Sequence, residues 1–168
     1  TGDIGRHGAA ILLAREQFGI DAAITSDCAP LCHLVHAALA KSQSIHVIRD
    51  ATRGGVGTVL YEIADQSSVG IHLYEERIPI DPAVKGLCGM LGLDPLYLAC
   101  EGRLVIIVPK EHSDSVLTAI RNEKYGEGAA IIGFVEEQKQ AGKVLVETQL
   151  GTIRLLPKPT GELLPRIC

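Results

Sequence analysis

The feature that most constrains the fold is a strand, glycine turn and helix in succession, HVIRDATRGGVGTVLYEIA. Residues 44–50 predict a strand, and residues 56–66 carry apolar side chains at helical spacing. The predicted buried face of this helix consists of Val56, Val59, Leu60, Ile63 and Ala64. A strand that passes through a short glycine turn into an amphipathic helix requires a layered fold in which helices cover a sheet.

The rest of the chain interleaves helices and strands early and clusters strands late. Further helices are predicted at 7–19, 30–40, 81–91 and 112–122, and further strands at 21–25, 70–77, 102–109, 129–135, 143–149 and 151–156. The run at 102–109 is continuously apolar and suits the centre of a sheet, and the last two strands suit a hairpin. The pattern predicts an α+β domain at 1–156, with a mixed sheet layered by helices, and a flexible extended tail at 157–168.

Composition excludes several classes of protein. A chain of 168 residues with 46% hydrophobic and 21% charged residues is globular and long enough for one domain. Its net charge of -4 argues against a nucleic-acid surface, and it lacks the roughly 20-residue apolar run of a membrane span. The chain begins at Thr1 without an initiator Met, so we expect a start inside a longer gene product.

The five cysteines have an odd count and irregular spacing, which favours a reduced, cytoplasmic protein over a disulfide framework. Cys88 and Cys100 fit the pattern of small buried hydrophobes. Cys168 differs, because it ends a proline-rich segment with no core to enter. Such a segment can extend about 3 Å per residue and could carry a covalently attached group between sites.

The glycine turn is a candidate phosphate site. Gly54, Gly55 and Gly57 would let the backbone approach an anion at the start of the helix. Positive charge would come from Arg53, with Arg49 as a further candidate. Asp50 could instead face a bound metal ion or cap the turn. The alternative is a tight connection in which the glycines serve steric needs only.

Two further segments could contribute to the same site. The turn GDIGRHG precedes a helix and carries Arg6 and His7, which could form a second wall of an anion site or a solvated helix entry. Glu101 stands just before the most apolar strand, where a carboxylate is placed to act as a base. Its alternative is a strand-edge residue that pairs with Arg103 or faces solvent.

A metal site is the weaker interpretation of SDCAPLCHLVH, although its Cys28, Cys32, His33 and His36 resemble a ligand set. A structural zinc site usually takes ligand pairs from separate elements, so we predict a solvated helix face and no metal here. A zinc-dependent regulatory domain is therefore only a remote alternative for the function of this chain.

Taken together, these motifs resemble the C-terminal half of the HypE family of hydrogenase maturation proteins, in the superfamily of aminoimidazole ribonucleotide synthetase and selenophosphate synthetase. The motifs are GDIGRHG, SDCAPL, RDATRGGVGTVLYEIA, LGLDPLYLACEGRLV, GAAIIGFV and the terminal LPRIC, and they span residues 2–168. The resemblance implies an ATP-dependent carbamoyl dehydratase, a lyase that converts a carbamoyl group on the C-terminal cysteine to a thiocyanate for the cyanide ligands of [NiFe]-hydrogenase.

The resemblance also implies a role for individual residues. Cys168 matches the carrier cysteine, Glu101 the glutamate proposed to remove protons, and His7 with Gly8 a helix entry that is structural or close to ATP. The loop near the nucleotide phosphates is matched by Asp50, Thr52, Arg53, Gly54 and Gly55. Two positions beside Glu101 depart from the family pattern, because Cys100 stands where Asn is usual and Arg103 where Lys is usual.

The family's cofactors and partners follow as expectations. ATP and Mg²⁺ would be bound mainly by an N-terminal domain that is absent from this chain, so we expect the chain alone to fold without turning over ATP. The implied partners are the carbamoyltransferase HypF and the iron-carrying HypC–HypD complex, with a homodimer in the full-length form. The rival function is a carrier or docking module that presents the modified tail while catalysis occurs elsewhere.

Overall fold

The computed structural model describes residues 1–15, 22–136 and 141–159. The helices are α1 (Arg6–Arg15), α2 (Cys32–Lys41), α3 (Gly55–Ser67), α4 (Pro82–Leu91) and α5 (Lys110–Arg121), with short 3₁₀ turns at Glu75–Arg77 and Pro95–Tyr97. The strands are β1 (Val47–Asp50), β2 (Gly70–Tyr74), β3 (Leu104–Ile107), β4 (Gly133–Glu136), β5 (Val144–Glu147) and β6 (Ile153–Leu155). Helices and strands alternate along most of the chain, and the strands cluster at its end.

The two sheets show how the strands associate. One sheet has the order β4-β2-β5-β6, in which β2 runs antiparallel to β4 and parallel to β5. Strands β5 and β6 pair as the predicted hairpin, with Val146 opposite Arg154. The other sheet joins β1 and β3 antiparallel, with Asp50 opposite Leu104. The α+β fold with a mixed sheet and covering helices is therefore confirmed.

Helix α3 lies at the centre of the main core. All five residues of its predicted apolar face are buried: Val56, Val59, Leu60, Ile63 and Ala64. They belong to one cluster with Ile71 and Leu73 of β2 and with Val144 and Val146 of β5. Burial of large apolar side chains stabilises such a layer by roughly 1.5–3 kcal/mol each, so the helix and the sheet fix each other's position.

The prediction that the apolar run at 102–109 lies at the centre of a sheet is wrong. Within the described ranges, β3 pairs with β1 alone. The continuous apolar pattern of β3 arises because both of its faces are packed against other residues. Val105 belongs to the main core, and Ile106 packs against the cluster of α2 and α5. A strand covered by core on one face and helices on the other needs no polar alternation.

The predicted strand at 21–25 is also wrong over its described part, because residues 22–25 form no strand. The amide of Ile24 donates to the carbonyl of Ala22 at 2.9 Å, a tight turn that a β-ladder excludes. The predicted helix at 7–19 begins at Arg6 and is seen to Arg15, and its proposed terminator Gly19 lies outside the described residues.

Candidate functional site

The loop between β1 and α3 is joined through main-chain hydrogen bonds to the segment that carries Glu101. The amide of Ala51 donates to the carbonyl of Arg103, and the amide of Cys100 donates to the carbonyl of Ala51, both at 3.1 Å. Ala51 is fully buried. One residue of the loop, Ala51, therefore bonds to the backbone on both sides of the predicted base.

The glycines of this loop are required by its geometry. Gly54 and Gly55 have φ angles of 69° and 62°, in the left-handed region that favours glycine. A Cβ on Gly55 would lie 2.4 Å from the carbonyl oxygen of Leu98. Gly55 therefore has a steric role, and this role is compatible with an anion at the amino end of α3.

Three of the five predicted nucleotide-loop residues, Asp50, Thr52 and Arg53, line an open pocket of about 280 Å³. Its other lining residues are Arg49, Val59 and Glu62. The hydroxyl of Thr52 donates to Asp50 Oδ2 at 2.6 Å, so these two side chains present oxygen atoms together. Arg49 Nη2 donates to Glu62 Oε2 at 2.6 Å. This pair offsets part of the positive charge that the sequence suggested for the pocket.

Glu101 is held by a residue that the sequence did not single out. The backbone amide of Glu101 donates to Asp27 Oδ1 at 2.9 Å, and Asp27 is 5% exposed. The next residue, Gly102, lies so close that a Cβ there would sit 1.9 Å from the carbonyl oxygen of Asp27. Residues 26–28, called the SDC turn below, therefore contact the backbone at Glu101 and at Gly102, and these contacts fix its position.

Arg103 does not serve as the partner that one sequence alternative assigned to Glu101. Its Nη2 donates to Asp3 Oδ1 at 2.5 Å and its Nε to the Asp3 carbonyl at 2.7 Å, while Asp27 Oδ2 lies 3.9 Å from Nε. Burial alone would raise the pKa of Asp3, but hydrogen bonds from Arg6 and Arg103 hold that pKa below its usual value. The charge of Arg103 thus stabilises the GDIGRHG turn.

Cys100 has a structural role beside Glu101. Its side chain is 1% exposed, and its Sγ accepts from the amide of Gly5 at 3.2 Å. Burial raises the pKa of the Cys100 thiol to about 12, and burial raises that of Cys88 to about 11. Since the thiolate is the reactive form, neither cysteine is a nucleophile near neutral pH.

His7 lies at the start of α1 and faces the SDC turn. Its Nδ1 is 2.8 Å from Ser26 Oγ, while its buried Nε2 has no hydrogen-bond partner among the described residues. The amide of Gly8 donates to the carbonyl of Ala99 at 2.9 Å. The helix entry is thereby attached to the segment that precedes Glu101, beside the glycine loop.

The cysteines and histidines of α2 and its approach are spread apart. Cys32 Sγ and His36 Nε2 are 3.9 Å apart, but His33 Nε2 donates instead to the carbonyl of Lys124 at 2.7 Å. The amide of Cys28 donates to Ser26 Oγ. Within the residues that the structure describes, no three His, Cys, Asp or Glu side chains are grouped to hold a metal ion.

The structure thus brings together the GDIGRHG turn, the SDC turn, the glycine loop and the segment around Glu101, four motifs that are distant in the sequence. Sequence reasoning missed the roles of Asp3 and Asp27, although both lie within motifs that it quoted. The available signal was an acidic residue beside a glycine or serine in a turn, which is too common to be decisive. Cys168 lies outside the described residues.

Comparison with known proteins identifies the class. Residues 1–145 match the family described as AIR synthase related protein, C-terminal domain, and the chain belongs to this family. Solved structures of lower similarity share the fold alone, such as a thiamine monophosphate kinase from Aquifex aeolicus at 21% identity and a TM-score of 0.53.

Within that class the chain is homologous to HypE. It is 44% identical over all 168 residues to the carbamoyl dehydratases HypE of Rhodobacter capsulatus and Escherichia coli, covering 49% of each. A crystal structure of hydrogenase maturation protein HypE aligns with 99% of this chain and 54% of its own, with 44% identity and a TM-score of 0.92. HypE structures have also been solved with ATP, at a TM-score of 0.90, and with HypF, at 0.89. The chain spans about half the length of the curated relatives it matches.

In the described part of the chain, no helix is both long and apolar enough to cross a bilayer.

Proposed function

We propose that this chain is the C-terminal part of an ATP-dependent carbamoyl dehydratase that acts on a carbamoyl group attached to Cys168. The proposal is supported by 44% identity over the whole chain to proteins named carbamoyl dehydratase HypE. It is also supported by the related HypE structure that contains ATP. The product would be a thiocyanate on Cys168, and its cyanide group would go to hydrogenase iron.

The proposed reaction balances as the removal of one water from a thiocarboxamide, with hydrolysis of ATP to ADP and phosphate. The amide oxygen leaves carbon as part of the phosphate, because oxide is too poor a leaving group to depart alone. Two protons leave the nitrogen as the carbon–nitrogen triple bond forms. The chain must therefore hold a reacting carbon near both a phosphate site and a proton acceptor.

The observation that carries the proposal is the double hydrogen bond of Ala51 to the residues flanking Glu101. It connects the loop proposed to lie near the phosphates with the backbone segment that carries the carboxylate proposed to accept protons. Bonds between buried main-chain groups resist displacement, so the two parts of the site keep a constant separation. Such preorganisation is what a positioned general base requires.

The described residues suit ATP and Mg²⁺ at one wall of a larger site. Amide groups in the first turn of a helix lack intrahelical acceptors and favour a phosphate, and α3 begins directly after the loop. Asp50 and Thr52 present the oxygen atoms that Mg²⁺ prefers. ATP supplies the phosphoryl group that activates the amide oxygen. The remaining ligands would come from an N-terminal domain.

The proposed partners follow from the same relatives. A HypE–HypF complex has been solved, so we propose a carbamoyltransferase of the HypF type as the donor to Cys168. A HypC–HypD-type iron carrier would accept the cyanide, and the full-length protein would form a homodimer in the cytoplasm. His7 would lie beside the nucleotide or support the helix entry.

The decisive experiment uses full-length protein that contains this chain, its carbamoyl donor and ATP. Mass spectrometry of the C-terminal peptide should show carbamoylation of Cys168 and then the loss of one water. In Glu101→Gln, carbamoylation should persist while water loss falls by about 10²-fold or more, the range for a general base. Unimpaired water loss would support the rival carrier module, in which the catalytic groups lie elsewhere.

A further inference from the structure

The chain leaving β6 is held at two successive carbonyl groups by two tyrosines. Leu156 is fully buried, and its amide donates to the carbonyl of Val144 at 2.8 Å. The hydroxyl of Tyr61 donates to the carbonyl of Leu156, and the hydroxyl of Tyr97 donates to the carbonyl of Pro157. The segment where the predicted tail begins is therefore anchored to the domain.

The two tyrosines come from separate elements that meet on the helix beginning at the glycine loop. Tyr61 lies in the middle of α3, and Tyr97 ends the 3₁₀ turn Pro95–Tyr97. The ring of Tyr97 lies against the first turn of α3, where a Cβ on Gly57 would come within 2.7 Å of Tyr97 Cε1. The anchor is therefore built on α3, the helix that also contributes Val59 and Glu62 to the pocket.

Hydroxyl donors suit this segment for a chemical reason. Pro157 and Pro159 have no amide hydrogen, so the chain cannot continue as a paired strand after β6 and offers mainly its carbonyl groups. Burial raises the pKa of Tyr97 to about 12, and burial likewise raises that of Tyr61. Both phenols therefore keep the proton that they donate throughout the neutral range.

The next contact outward is of a weaker kind. Lys158 Nζ pairs with Asp65 on α3, and their side chains are 60% and 45% exposed. Exposed ion pairs contribute little and are screened by salt. The firm attachment thus ends at Pro157, and the residues after Lys158 lie beyond it.

We propose that Tyr61 and Tyr97 are positioning residues that clamp the root of the C-terminal segment at Leu156 and Pro157. The clamp then fixes the point at which the C-terminal segment leaves the domain. Eleven residues follow this root, Lys158 to Cys168, and a fully extended chain of that length spans at most about 36–40 Å. That this fixed point helps to bring Cys168 to the site rests on the proposed function. The clamp itself does not depend on that function.

The test compares Tyr97→Phe with Tyr74→Phe in the full-length protein. Tyr74 is a matched control because its ring lies against His72 and Phe134, away from the clamp. The first measurement is amide hydrogen exchange at Leu156, whose amide bonds to Val144. Tyr97→Phe should speed exchange there by roughly two- to tenfold, the range that one net hydrogen bond supports, whereas Tyr74→Phe should leave it unchanged.

The second measurement is the rate of water loss from carbamoylated Cys168 at saturating ATP. Tyr97→Phe should slow it by up to the same factor, with unchanged ATP affinity and a fall in unfolding temperature of no more than about 2–4 °C. Unaltered exchange in both Tyr97→Phe and the Tyr61→Phe, Tyr97→Phe double variant would overturn the clamp. Faster exchange with an unaltered rate would overturn its positioning role. Absence of water loss in the wild-type protein would count against the proposed function, and exchange would still decide the clamp.

Discussion

Replacing Gly102 with alanine should test whether the SDC turn fixes Glu101. A Cβ at this position would lie 1.9 Å from the carbonyl oxygen of Asp27 and 3.1 Å from the Cβ of Ala29. The first distance would have to open by about 1.1 Å to reach the 3.0 Å below which such contacts are essentially not found. The clash is with backbone, so a side-chain rotation cannot relieve it, and one of the two turns must move.

The expected cost has two parts. Overpacking of a close contact costs roughly 1–3 kcal/mol. Movement of the turn also weakens the hydrogen bond from the Glu101 amide to the Asp27 carboxylate, and bonds to charged groups contribute about 1.5–3 kcal/mol. Since the two effects share one displacement, we expect about 3 kcal/mol in total. A domain of this size loses about 2–4 °C per kcal/mol, so its unfolding temperature should fall by roughly 6–12 °C.

The assay is thermal and urea unfolding of this chain, with Gly86→Ala and Gly89→Ala as controls. Both control glycines lie within α4, and no atom lies within 4 Å of a Cβ built there. Alanine at either site should stabilise the helix by up to about 1 kcal/mol. A Gly102→Ala protein as stable as wild type, with an unchanged urea dependence, would refute the claim that the two turns are in fixed contact.

Two further predictions concern acid stability and thiol reactivity. Because the pKa of Asp3 is lowered in the folded protein, its contribution is present above the unfolded value of 3.8 and is lost as pH falls through the folded value. The unfolding free energy of Asp3→Asn should therefore be lower than that of wild type near neutral pH and depend less on pH below about 4; parallel pH profiles would contradict this. Iodoacetamide at mildly alkaline pH should modify the exposed Cys28 and Cys32 in the native chain and spare the buried Cys88 and Cys100. Mass spectrometry that finds Cys100 modified as fast as Cys28 would show that its burial has been overstated.

The parts of the fold that could be predicted from the sequence are those governed by local periodicity. The five apolar side chains of α3 repeat within one helix, so their burial needed no knowledge of the partner sheet. The position of β3 could not be predicted in the same way. Its continuous apolar pattern reflects cover by α2 and α5, whose packing is a property of the tertiary structure.

In the candidate site, too, the local features could be predicted from the sequence and the long-range contacts could not. Glycine turns before helices mark the loop at 50–55 and the entry to α1, so the sequence indicated both walls. The residues that position Glu101 came from far away, since Asp27 is 74 positions from it. Arg103 likewise takes its main partner, Asp3, from 100 positions away. Pairings between residues so distant in sequence leave no periodic signal in a single sequence. The same holds for the tyrosine clamp at Leu156 and Pro157.

The link between the glycine loop and Glu101 is made by the main-chain atoms of Ala51, Cys100 and Arg103. Hydrogen bonds of this kind are available to almost any residue, provided that its side chain fits the space. Position 100 can therefore carry another side chain that fits its buried space without altering the spacing between the proposed phosphate wall and the proposed base. Substitutions at positions 51 and 100 whose side chains fit would change the polarity of this site and keep the separation of its two parts.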